Sequence, residues 1–192
     1  MGAFPTFPVV LDSCVLFPMA LRDTLLRAAE AGLYRPHWSQ QILDDATRSL
    51  VEQQRMTPEK AARFTALVTL AFPEAMVEVP EALVTAMTNH AGDRHVVATA
   101  VIAGSRLIVT SNLKHFPEKA LAPWGVDVQS SDVFLTHLFD LEPDTMVEVI
   151  LQQARDLTRP PWTHEELLEH LRNQVPTFAS KAMRQLALRS ET

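Results

Sequence analysis

One cysteine, Cys14, stands in 192 residues, so no intrachain disulfide is possible and a reducing, cytoplasmic compartment is expected. Glycine is scarce, five in all, and neither G-x-G-x-x-G nor G-x-x-x-x-G-K-[ST] occurs. Dinucleotide and P-loop nucleotide binding thereby lose their main support. No run of about 18 apolar residues exists, so no transmembrane helix and no membrane partner are expected. The first residues lack a basic stretch followed by an apolar one, so a secretory leader is not expected. No Cys/His cluster has the spacing of a zinc site. There is no internal repeat and no low-complexity segment. The net charge of 17 − 23 = −6 argues against a protein that coats nucleic acid by bulk electrostatics. It leaves room for a nuclease, whose acidic metal site meets phosphate through a cation and a few basic side chains.

What is present is a core-forming chain. Hydrophobic residues make up 47%, enough for an α/β domain that needs no disulfides. Val9, Val10 and Leu11 form an apolar run without alternation, the pattern of a strand buried on both faces, and Asp12 ends it. A helix is expected over 16–31, with Pro18 in its first turn and Gly32 as its stop. A weak strand over 33–38 is broken by Pro36. Ser39 is expected to cap a helix over 40–54, and Thr57 another with Pro58 at its first position. Phe64, Leu67, Val68 and Ala71 would be the apolar stripe of that second helix, which Pro73 ends. A third strand over 76–79, a short helix over 80–87, a helix over 93–103 and a strand over 106–110 follow. Residues 111–117 read as a loop or single turn, 125–128 as a last strand and 130–139 as a helix. Strands alternating with helices predict a three-layer α/β/α parallel sheet. Beyond 141 no strand pattern remains. Helices are expected over 142–157, 163–173 and 177–188, with Thr163-x-x-Glu166 as a capping box. The expected division is an α/β domain over 1–140 and a helical C-terminal extension over 141–192.

Four polar residues fall at equivalent places in this α/β unit: Asp12, Asp45, Asp93 and Asn112. In open parallel sheets, sites form outside the carboxyl ends of the strands. Three carboxylates and an amide are hard oxygen donors, which suit Mg²⁺ or Mn²⁺ rather than Zn²⁺. Crowded carboxylates repel one another, so such a cluster persists only when a cation neutralises it. That cation could also lower the pKa of a bound water and hold a phosphodiester oxygen. Asp12, Asp93 and Asp45 are therefore the expected metal ligands, with Asn112 completing the catalytic set. Local roles compete with this reading. Asp93 follows Gly92 at a helix start, where an N-cap acid is common; Asp44 and Asp45 sit on an amphipathic helix that could turn them to solvent; Asn112 suits a turn. Cys14 reads as a small core residue, with no histidine near it in sequence to activate it.

The order of four blocks carries a resemblance. Val9-Val10-Leu11-Asp12-Ser13-Cys14-Val15-Leu16 resembles the opening of PIN domains. Ser39-Gln40-Gln41-Ile42-Leu43-Asp44-Asp45 is similar to their Ser-x-x-Val-Leu-x-Glu block, with Asp45 at the acid position. Asp93-Arg94-His95-Val96-Val97-Ala98-Thr99-Ala100 is similar to Asp-x-x-Val-x-Ala-x-Ala. Residues 108–117, Ile-Val-Thr-Ser-Asn-Leu-Lys-His-Phe-Pro, are similar to the block carrying Thr-x-Asn-x-x-Asp-Phe. Together they span about residues 7 to 135, and the match looks closest to VapC-type toxins. This resemblance implies a PIN-like, flavodoxin-like fold and an Mg²⁺- or Mn²⁺-dependent ribonuclease. It also implies a homodimer inhibited by a small antitoxin, with the C-terminal helices resembling the extension of one VapC subgroup. Three positions depart from the family pattern, one of them Asn112, a neutral ligand in the place of the fourth acid. Asp45 is one methylene shorter than the usual Glu, and His115 stands where many relatives carry Asp, which removes a negative charge from the second metal position. Arg94, His95, Lys114 and His115 are the expected RNA contacts, with Arg22 and Arg48 nearby and more suited to surface ion pairs.

The competing reading is a catalytically silent PIN-like module that binds RNA or protein. A haloacid-dehalogenase phosphatase also opens on a strand-end Asp, but wants a second Asp where Cys14 stands. A receiver domain wants adjacent acids before its strand-end Asp and a late Lys after a strand.

Overall fold

A computed structural model describes residues 6–190. The chain divides into two compact units, one from residues 1–17 and 34–129, the other from 18–33 and 130–192. The first holds the sheet: β1 (Pro8–Leu11), β2 (Arg35–His37), β3 (Leu107–Val109) and β4 (Asp127–Gln129), all parallel, in the order β2-β1-β3-β4. Val9, Val10 and Leu11 have no exposed surface, as an apolar run without alternation requires. Because β1 lies between β2 and β3, the chain reverses direction across the sheet at its carboxyl end. That is the switch point where open α/β sheets place their sites.

The helices of this unit are α1 (Ser13–Leu16), α3 (Gln40–Glu52), α4 (Pro58–Ala71), α5 (Glu81–Ala86), α6 (Arg94–Ala103) and α7 (Glu118–Leu121). Ser39 and Thr57 cap α3 and α4 through their side-chain oxygens, as their positions predict. The helix expected over 16–31 is two: α1 stops at Leu16 and α2 (Met19–Glu30) begins after Pro18, which takes the extended N-cap conformation. The third strand is reduced to one bridge between Trp38 and Met76, with Trp38 N–H donating to the Ala75 carbonyl at 3.0 Å. Pro36 is tolerated in β2 because the strand is short and at the edge of the sheet. The stripe expected on α4 does not form: Val68 and Ala61 are buried, while Leu67 and Leu70 are exposed.

The second unit is helical. It contains α2, α8 (Ser131–Leu141), α9 (Pro143–Asp156), α10 (His164–Leu171) and α11 (Pro176–Ser190). The capping box at Thr163 and Glu166 is formed in both directions. Asp132 of α8 accepts the backbone N–H groups of Thr177 and Phe178 at 3.2 and 2.9 Å, satisfying donors in the first turn of α11. Between α2 and α9, Gln153 accepts the Thr24 hydroxyl at 2.8 Å and donates to the Ala20 carbonyl at 3.0 Å. Between α8 and α11 the contact is aromatic, and Phe178 meets the Phe139 ring edge-on at 6.1 Å. Among the described residues no helix is long and apolar enough to cross a membrane.

Candidate active site

The register of the sheet builds the centre of the site. Leu11 pairs with Val109, so the next residues, Asp12 and Thr110, stand side by side at the carboxyl ends of β1 and β3. The Asp12 N–H extends the ladder to the Val109 carbonyl at 3.0 Å. Thr110 Oγ1 donates to Asp12 Oδ2 at 2.6 Å, Cys14 Sγ donates to the same oxygen at 3.2 Å, and Ser13 Oγ donates to Oδ1 at 3.2 Å. Asp12 is 1% exposed, and its hydrogen-bond partners among the described residues are all neutral. It does not cap α1 with its side chain. A carboxylate so enclosed, with no cationic partner, is costly unless a cation reaches it.

Cys14 belongs to this wall. Its sulfur accepts the Ser111 N–H at 3.1 Å and lies 3.3 Å from Thr110 Oγ1. Burial, and then the charge of Asp12, push its thiol up from 9.0 to about 11. At neutral pH it is a hydrogen-bond donor and not a nucleophile. Thiolate at a given pH falls about tenfold for every pH step by which the thiol is raised. Alkylation of native Cys14 by iodoacetamide at about pH 7.5 is therefore expected to run about a hundredfold slower than in the urea-unfolded chain. Rates within about threefold of each other would contradict this placement.

Asp45 is on α3, which packs on α1 and α6. Its carboxylate pairs with Arg48 one turn on, and the other oxygen lies 3.3 Å from His95 Nε2. That contact is within ion-pair range but off the line a hydrogen bond needs, and Nε2 is buried without a hydrogen-bond partner. His95 is 3% exposed. Burial holds its imidazole below the usual histidine value, against the pull of Asp12 and Asp93. One neutral ring thus sits among three acids. The sequence pattern places His95 on a helix but does not show that it turns inward. It does so because α6 is buried almost all round, from His95 through Ala100.

Asp93 ends a 3-10 turn (Ala91–Asp93) and stands at the N-cap position of α6, as its local reading expects, but its side chain makes no capping bond there. Its Oδ2 instead meets His115 Nδ1 at 2.7 Å and His90 Nδ1 at 3.1 Å. His115 lies on a second 3-10 turn (Leu113–His115). Among the described residues, one trio of metal-capable donors has all its atoms within 4.8 Å of one another: His90, Asp93 and His115. Asp12, Asp45 and Asp93 are not such a trio. No zinc-type cluster is visible in sequence spacing because 90 and 115 meet only through folding. His90 escapes sequence reasoning for that reason, although His-x-x-Asp at a turn is a usable signal. Asn112 is half-buried, and its N–H donates to Thr110 Oγ1 at 3.0 Å. Lys114 is exposed, and Arg94 is half-buried with an unpartnered Nε. Arg22 is buried in α2, in the helical unit.

A four-stranded parallel sheet flanked by helices, with acids at its switch point and a helical C-terminal part, is a PIN-like α/β/α fold. Residues 131–184 match the family described as the VapC50 C-terminal domain. The chain is 45% identical over 102 residues to a Mycobacterium tuberculosis (strain H37Rv) protein named "Putative ribonuclease VapC50". The aligned stretch is 53% of this chain and spans 60% of the length of that protein. No solved structure matches. The chain is thus similar to VapC-type proteins over these two stretches and spans 60% of the length of the relative it matches.

Proposed function

We propose that this chain is an endoribonuclease that hydrolyses RNA phosphodiester bonds with a divalent cation, Mg²⁺ or Mn²⁺, as the toxin of a VapBC-type pair. The observation that carries this reading is Asp12, a buried carboxylate with only neutral partners at the switch point of the sheet. Carboxylates are the hard oxygen donors such a cation takes: Asp12, Asp45 and Asp93 would hold it, drawn together from the wider spacing they have without it, and Asn112 would complete the set. A bound cation would supply Lewis acidity toward a phosphodiester. The protein's own groups do the rest. Thr110, Ser13 and Cys14 fix the Asp12 carboxylate, and His95 stands against Asp45. Arg94, Lys114 and His115 offer positive or hydrogen-bonding groups to RNA phosphates, and His95 would contribute from within. A cognate antitoxin, a homodimer, a cytoplasmic location and a division into 1–140 and 141–192 belong to the same proposal.

The test is cleavage of RNA by purified protein. Cleavage is expected with Mg²⁺ or Mn²⁺ and lost on adding chelator, with recovery on restoring the ion. Cleavage that persists in chelator sinks the metal-dependent reading.

One observation favours the catalytically silent alternative. Arg48 already neutralises Asp45, which is also the shorter acid at that position. Calorimetry with Mn²⁺ separates the two readings, since absence of binding heat favours the silent module.

A further inference from the structure

We infer that His90, Asp93 and His115 form a two-imidazole, one-carboxylate site for a borderline divalent transition ion of the Zn²⁺ type. It shares Asp93 with the site proposed above but stands whether or not the chain cleaves RNA. Two segments distant in sequence build it. The His90 N–H donates to the His115 carbonyl at 3.1 Å, and the two rings stack with centroids 4.0 Å apart and planes 15° apart. Both Nδ1 atoms thereby converge on one carboxylate oxygen, at 2.7 and 3.1 Å. An ion about 2.0–2.1 Å from each donor holds adjacent donors about 2.9–3.4 Å apart, close to the N···O separations here, and the two rings swing out of their stack to aim both Nδ1 lone pairs at it. Three protein donors leave a further position for water, the pattern of an open zinc site. The imidazole pair decides the ion. Imidazole suits Zn²⁺, whereas Mg²⁺ wants oxygen.

The test uses the full chain, stripped with chelator, titrated calorimetrically with Zn²⁺ and with Mg²⁺. One Zn²⁺ per chain is expected, with Mg²⁺ at least about a hundredfold weaker. His90→Ala is expected to weaken Zn²⁺ at least about tenfold. His90→Phe keeps an aromatic ring against His115 while removing the donor, and is expected to do the same. Cobalt substitution gives a second readout: visible absorption bands from the bound Co²⁺ that His90→Phe abolishes. Zn²⁺ affinity in His90→Phe within about twofold of wild type overturns the assignment, as does Mg²⁺ binding as tight as Zn²⁺. A chain that binds Zn²⁺ here and cuts no RNA fails the ribonuclease proposal alone. One that cuts RNA while its zinc affinity ignores His90→Phe fails this inference alone.

Discussion

Asp12→Asn is expected to abolish RNA cleavage without lowering the melting midpoint of the protein. The two halves of this expectation have one physical origin. Asp12 is enclosed, and its negative charge is met by a hydroxyl from Thr110, a hydroxyl from Ser13 and the thiol of Cys14. Those donors satisfy the oxygen atoms but do not neutralise the charge. The amide keeps the shape and one acceptor oxygen for Thr110, while its NH₂ can donate to Ser13, whose hydroxyl accepts as well as donates. Losing a buried charge that has no cationic partner removes a desolvation cost, so stability is kept or rises. The charge is also what a divalent cation needs. Transition-state charge stabilisation by such an ion amounts to several kcal/mol, so its loss slows cleavage at least about a hundredfold. The measurement is a cleavage assay beside a thermal melt. Cleavage at wild-type rate would move the catalytic centre away from β1. A melt lowered by several degrees would make Asp12 a structural acid.

Trp38→Ala is expected to cost about 3–5 kcal/mol, while Trp38→Phe stays within about 1 kcal/mol of wild type. Trp38 is wholly buried, and its ring meets Phe72 edge-on at 5.8 Å. It is also where the chain leaves β2 and bridges to Met76 before Ser39 caps α3. Truncation opens a cavity under both connections. The loss is a large part of a total stability that for such domains is about 5–15 kcal/mol. Phenylalanine behaves differently for a specific reason. The indole Nε1 is buried without a hydrogen-bond partner, so replacing it removes an unsatisfied donor along with some packing. Urea melts of the two variants check the contrast. Equal losses would show that the indole N–H has a partner.

Much of the fold is legible in the sequence because its signals are local. A capping oxygen reaches only two or three residues along the chain, so Ser39, Thr57 and Thr163 mark the starts of α3, α4 and α10 correctly. The apolar run of β1 needs no partner to be recognised. Sequence and structure part where a neighbour decides the outcome. Phe64 and Leu67 have helical spacing, yet Leu67 is exposed while Val68, one residue on, is buried. Residues 76–79 could extend as a strand, but only Met76 pairs. Pro18 suits the first turn of one long helix, whereas it separates two.

The site divides in the same way. From sequence alone come an acid at the end of β1, the order of the four blocks and the likeness to PIN domains. All of these are written along the chain. Only tertiary structure decides what each acid meets. The β1–β3 register sets Thr110 against Asp12, and the packing of α3 on α6 brings His95 to Asp45. Folding also draws His90 and His115 onto one oxygen of Asp93. Side-chain chemistry travels with the sequence, but its partners are chosen by contacts between distant segments. A list of acids can therefore suggest a hard-oxygen site without showing that two imidazoles share one of them.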